Sequence, residues 1–166
     1  MGLLSEAIAK QMNLSNEEVN RIRVAGFLHD IGKIGIDEAI LNKTGKLDAS
    51  EWEIMKLHPV KSAGILDKTQ EYRDISDIVL SHHERYDGKG YPGQFRGEAI
   101  PLEARIIAVA DTYDAITNER PYRKPLDRIE AIEEMKRSAG TQLDPKIVSV
   151  LVDMLEKLAS NGKHTE

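Results

Sequence analysis

The sequence predicts an all-α fold, on three observations. Strand signals are almost absent, apolar residues recur at helical spacing, and cap residues stand in front of most of the apolar-periodic segments. At 166 residues the chain is long enough to build a core without disulfides. With no internal repeat and no inter-domain linker, it reads as one domain over 1–166.

Leu3 to Met12 reads as a short helix with Leu4, Ile8 and Met12 on one face. Ser15 starts a second helix, and Glu18, three residues on, completes a capping box. Its apolar positions Val19, Ile22, Ala25, Gly26 and Leu28 lead straight into His29-Asp30, with Gly32 expected to stop the helix. Asp37 to Leu41 predicts a helical turn, followed by the polar loop Asn42 to Lys46. Asp48 with Glu51 opens a helix expected to reach His58; Pro59 either kinks it or starts the next.

Ile75 to His83 predicts another helix, ending in the pair His82-His83. The glycine-rich stretch Glu84 to Ile100 is too long for a simple connector and is a functional candidate on length alone. Pro101 opens the most apolar helix, Leu102 to about Ile116, whose second half is interrupted by Asp111 and Asp114. Helices from Asp127 to about Ala139 and from Asp144-Pro145 to about Ala159 complete the series. The polar residues 160–166 are expected to form a flexible tail.

Composition narrows the chemistry. The absence of cysteine removes thiolate metal sites and cysteine nucleophiles, and suits a cytoplasmic protein. Any metal must be held by imidazole nitrogen and carboxylate oxygen, ligands that suit iron, manganese, zinc or nickel. The net charge of −5 argues against a nucleic-acid polymer, while leaving room for a small phosphate-bearing substrate. No apolar run approaches the roughly 18 residues of a membrane span. Met1-Gly2 does not make a myristoylation signal, because position 6 is Glu6 rather than serine or threonine.

Four of the five histidines sit at predicted helix ends or beside acids: His29 with Asp30, His58, and His82 with His83. His164, in the tail, is given no role. Adjacent helical residues point about 100° apart, so each doublet could serve two neighbouring metals, or one metal and its surroundings. Asp111 and Asp114 share one face of an apolar helix. A carboxylate buried there needs a partner: a metal, a cap, or an arginine such as Arg105, Arg120 or Arg123.

Taken in order, these residues form a recognisable series. It runs His29-Asp30-Ile31-Gly32-Lys33, then His82-His83-Glu84-Arg85-Tyr86-Asp87-Gly88-Lys89-Gly90-Tyr91-Pro92, then Ala110-Asp111-Thr112-Tyr113-Asp114, and Arg120-Pro121-Tyr122-Arg123. From about Leu3 to Leu155 the chain resembles the HD-GYP family, a bacterial branch of the HD phosphohydrolases. The resemblance implies a compact multi-helix HD-domain bundle with a long glycine-rich loop between helices. It also implies a cyclic di-GMP phosphodiesterase with two divalent metal ions, iron or manganese ahead of zinc or nickel. The metal ligands carried over are His29, Asp30, His58, His82, His83 and Asp111, with Asp30 bridging. Asp30 and Lys33 are the implied catalytic residues. Lys33, Tyr91, Arg120 and Arg123 are the implied substrate contacts.

The implied reaction opens cyclic di-GMP to linear pGpG, and onward to GMP, through a metal-bridged hydroxide. Two alternatives stay open. One is an impaired signalling module that binds cyclic dinucleotides or proteins, with diguanylate cyclase domains meeting the Tyr91 loop. The other is an HD hydrolase of a different cyclic dinucleotide.

Two departures from the family pattern stand out. The glutamate and histidine of a fuller metal site would precede Met1, so the domain is expected to lack its most N-terminal helix. The groove this leaves suggests a homodimer or an exchanged helix. Ser62 replaces a glycine common in relatives, with little expected consequence.

Overall fold

The computed structural model describes residues 1–119 and 124–161. Arg120, Arg123 and residues 162–166 of the expected tail lie outside the described residues. Side-chain caps fix several helix starts. Ser15 and Glu18 reciprocate at the head of α2 (Asn16–Leu28), which follows α1 (Gly2–Gln11). Asp37 caps the single turn α3 (Glu38–Leu41), and Asp48 with Glu51 forms a second capping box before α4 (Ala49–Met55). Next come α5 (His58–Leu66), α6 (Ser76–Leu80) and α7 (Leu102–Thr117). A third capping box, Asp127 with Glu130, opens α8 (Arg128–Ser138), and α9 (Pro145–Asn161) closes the series. Tight 3₁₀ turns stand at Ile31–Gly35, Arg73–Ile75 and Gly97–Ala99. Among the described residues there is no strand, only an isolated bridge between Ala139 and Leu143. The all-α expectation holds.

Three predicted helix ends move, the first for a packing reason. First, α2 stops at Leu28, and Gly32 sits inside the following 3₁₀ turn instead of ending the helix. A Cβ on Gly32 would lie 2.3 Å from the His58 carbonyl oxygen and 2.4 Å from the Ser62 nitrogen. The glycine therefore serves the close approach of this turn to α5. Second, α4 ends at Met55, and Pro59 falls in the first turn of α5. Third, α6 ends at Leu80, so His82 and His83 are carried by a turn rather than by the helix.

Two buried clusters hold the bundle. Ile8, Ile22, Ile106, Met135, Ile147 and Leu151 join α1, α2, α7, α8 and α9. Ala25, Leu66, Ile78, Val79, Ala104 and Ile107 join α2, α5, α6 and α7. In this second cluster Ala25 and Val79 stand four and three residues before His29 and His82. Arg105, which the sequence offered as a partner for Asp111 or Asp114, instead meets Asp144 at 2.5 Å. It also donates to the Ile100 carbonyl, tying α7 to the start of α9. Asp114 faces the other way, 3.1 Å from the Met1 nitrogen.

Candidate metal centre and adjoining groove

Each histidine of the cluster is set by the end of an element. His29 is the C-cap of α2, His58 the first residue of α5, and His82 and His83 follow α6. In three of them Nδ1 meets the backbone carbonyl three residues earlier. The distances are 2.9 Å for His29 to Gly26, 2.8 Å for His58 to Met55 and 2.6 Å for His82 to Val79. Those carbonyls can only accept, which assigns the proton to Nδ1 in each neutral ring and leaves Nε2 with a bare lone pair.

The Nε2 atoms converge. His58 Nε2 is 3.4 Å from His82 Nε2 and 3.1 Å from His83 Nε2. Asp30 joins them, with Oδ1 3.3 Å from His58 Nε2 and Oδ2 3.2 Å from His29 Nε2. Asp111, on α7, reaches within 3.8 Å of His29 Nε2. The structure thus brings together all six residues expected as ligands. Five of them form two overlapping groups, His58–His82–His83 and His29–Asp30–His82, each spanning no more than 4.8 Å, with Asp111 beside the second.

Charge and burial favour a cation here. Burial holds the His58, His82 and His83 pKa values below the ordinary range, to about 3 for His83, so these rings are neutral donors at pH 7. Burial also works against protonation of His29, but the Asp30 and Asp111 carboxylates outweigh it and raise its pKa. For Asp30 burial would favour the protonated acid; His29 and Lys33 overcome that and keep it ionised. Asp30 Oδ1 is buried and has no hydrogen-bond partner. A buried carboxylate oxygen facing the unprotonated Nε2 of His58 is a poor arrangement for a protein by itself. With a divalent metal among those atoms it becomes a good one, and nitrogen–oxygen donor sets suit first-row metals.

Around this centre lie the residues expected to meet substrate. Lys33 Nζ is 2.6 Å from Asp30 Oδ2, at the solvent side of the cluster. The Tyr91 ring stacks obliquely on His83 with centroids 5.0 Å apart, and Trp52 approaches Tyr91 edge-on. Burial, together with the Asp30 and Asp111 charges, raises the Tyr91 pKa, so its phenol stays protonated and able to donate. Arg120 and Arg123 fall outside the described residues. A groove of about 570 Å³ runs from His83 past Tyr91 to Trp52, Lys56, Lys89 and Gln142. A second cavity of about 200 Å³ opens on the other side of His83, against Asp111 and Thr112.

Sequence reasoning passed over two residues that shape the site. Glu84 is buried, and its carboxylate accepts from Gly93 N at 2.5 Å, Gln94 N at 3.0 Å and Phe95 N at 3.1 Å. It thereby folds the glycine-rich loop back over the histidine pair. An acid directly before a glycine-dense loop was the available signal. Ser62, a departure from which little was expected, is fully buried against the 29–32 segment.

A family model described as HD domain matches residues 1–147. The chain is 42% identical over 154 residues to the cyclic di-GMP phosphodiesterase response regulator RpfG of Xanthomonas campestris, covering 92% of this chain and 41% of that protein. It is 37% identical over 158 residues to 3′3′-cGAMP-specific phosphodiesterase 3 of Vibrio cholerae, covering 95% of this chain and 34% of the relative. The chain therefore spans well under half the length of these relatives. Among solved structures, a cyclic GMP-AMP phosphodiesterase of V. cholerae superimposes with a TM-score of 0.71 at 22% identity, over 98% of this chain and 43% of that one. The PgpH HD domain of L. monocytogenes, in complex with cyclic-di-AMP, gives 0.63 at 19%, over 99% and 88%. At these identities the structural likeness speaks for the fold. With its His29-Asp30 doublet and the His82 to Pro92 series in place, the chain belongs to the HD domain family, in its HD-GYP branch.

Proposed function

We propose that this chain is a metal-dependent phosphodiesterase acting on a cyclic dinucleotide, with cyclic di-GMP the favoured substrate. The observation that carries the reading is the approach of His58 Nε2, with the His82 and His83 Nε2 atoms beside it, to the buried Asp30 Oδ1, which has no hydrogen-bond partner. His29, Asp30, His58, His82, His83 and Asp111 would hold two divalent ions, iron or manganese first among the candidates. Bound there, the metals would supply an activated water and neutralise the charge of the phosphoryl oxygens.

The protein's own groups do the rest. Lys33 presents an ammonium at the open side of the cluster, where a phosphate oxygen can take it up. Tyr91 keeps its phenolic proton available for a hydrogen bond to the substrate. Arg120 and Arg123 are assigned to the substrate phosphates on the resemblance alone. The groove past Trp52, Lys56 and Lys89 offers an aromatic edge and two ammonium groups to the half of the substrate away from the scissile bond. Hydrolysis adds water across one P–O3′ bond and leaves linear pGpG with a 5′-phosphate and a free 3′-hydroxyl. A cytoplasmic setting, and contact with diguanylate cyclase domains through the Tyr91 loop, extend this reading on the same resemblance.

The test is anaerobic incubation of the chain with manganese or ferrous iron and cyclic di-GMP, with products resolved by chromatography. Formation of pGpG, lost in Asp30→Ala and His82→Ala, is the expected result. Metal-loaded protein that forms no product would sink the reading. A second substrate deserves the same assay: Vibrio cholerae relatives at 37% identity are named 3′3′-cGAMP-specific phosphodiesterases. A larger kcat/KM for the hybrid dinucleotide would move the assignment to it.

A further inference from the structure

We infer that Ser62 is a positioning residue that sets the geometry of the metal-binding segment His29–Asp30. Its hydroxyl donates to the His29 carbonyl at 2.8 Å and accepts from the Gly32 N–H at 2.8 Å. These two backbone groups bracket Asp30. One is an end carbonyl of α2, and the other an N–H in the first turn of the next element. Both would otherwise be orphans of helix termination. One buried hydroxyl therefore closes the joint between α2 and the Ile31–Gly35 turn.

The clamp is rigid for a second reason. Ser62 lies four residues after His58 on α5, so the two share a face of that helix. The missing side chain at Gly32 lets the backbone settle against both, in space where a Cβ would stand 2.3 Å from the His58 carbonyl oxygen. Helix α5 thus contributes His58 directly and fixes His29 and Asp30 through Ser62. The 3.2 Å and 3.3 Å distances from Asp30 to His29 and His58 are set across this joint.

The inference rests on the metal-centre reading, and the test separates the two. Metal-free full chain, Ser62→Ala and Ser62→Thr are titrated with manganese by calorimetry, and each is melted in chelator. Val152→Ala, in the core on α9, serves as a control for loss of stability alone. Ser62→Ala should weaken manganese binding about 10-fold or more, as loss of supporting hydrogen bonds around ligands does. Ser62→Thr, which restores the hydroxyl, should recover most of it, and Val152→Ala should bind as the parent does. If Ser62→Ala fails to fold, Ser62→Cys, with similar volume and weak hydrogen bonding, should show the same weakening. Parent-like affinity in a folded Ser62→Ala or Ser62→Cys, whatever the melting temperature, overturns the positioning role. A folded parent chain that takes up no manganese overturns the metal centre and this inference with it.

Discussion

Asp30 Oδ1 and His58 Nε2 lie 3.3 Å apart with no hydrogen between them. The proton of His58 is committed at Nδ1 to the Met55 carbonyl, and Asp30 is ionised, so the contact sets lone pair against lone pair. Asp30→Asn inserts an amide whose N–H can satisfy His58 Nε2. The variant also loses the charge that Lys33 and His29 meet, and it is expected to lose manganese uptake and hydrolysis together. Retained manganese binding in calorimetry would remove Asp30 from the ligand set.

Metal binding should also be visible as stability. A ligand held only by the folded chain stabilises it by about 2.7 kcal/mol at 100 times its Kd. Manganese should therefore raise the melting temperature of the parent, and chelator should reverse the rise. His82→Ala should show neither change, because His82 belongs to both ligand groups.

Glu84→Gln tests the loop separately from the metals. The carboxylate accepts Gly93 and Gln94 N–H at Oε1 and Phe95 N–H at Oε2, whereas an amide that keeps its oxygen toward the first two sets its NH2 against the Phe95 N–H. A loss of about 1–3 kcal/mol is expected for a buried hydrogen-bonding group left unmatched. Manganese affinity should stay near the parent's while KM for the dinucleotide rises. Equal loss of metal binding would mean that the loop and the centre are one unit.

Gly90→Ala should be harsher. Its Cβ would fall 2.3 Å from Arg85 N and 2.6 Å from the His83 carbonyl oxygen, both backbone atoms that cannot step aside. The loop must move away from His83, and hydrolysis is expected to fall at least tenfold, by roughly 1.4 kcal/mol or more in the barrier. An alanine variant with parent kinetics would show that the approach of the loop to His83 is not needed for turnover.

Away from the site, Arg105→Met leaves the buried Asp144 without its guanidinium. Removing one partner of a buried pair costs about 3–5 kcal/mol. Arg105 keeps some exposure, so chemical denaturation should show a loss near the lower end, with manganese affinity unchanged.

Local patterns written in neighbouring residues were legible from the sequence. The capping boxes at Ser15–Glu18 and Asp48–Glu51 and the helix start at Asp144-Pro145 stand where the sequence put them. The structure also brings together His29, Asp30, His58, His82, His83 and Asp111, which the resemblance carried over as expected ligands. Helix ends were read less well. Gly32 looked like a stop signal, but its glycine answers to α5, some thirty residues further along the chain.

Side-chain chemistry together with local pattern was enough to determine an all-α chain and a nitrogen–oxygen donor set, because caps, helical period and ligand type act over a few residues. Tertiary structure decided which atoms of that set meet. The Nδ1 contacts of His29, His58 and His82 are local, each to a carbonyl three residues earlier, but the orphaned Asp30 oxygen depends on how four elements come together. The roles of Ser62 and Glu84 were likewise hidden, since a hydroxyl or carboxylate reveals its partner only when packing brings distant backbone within about 3 Å.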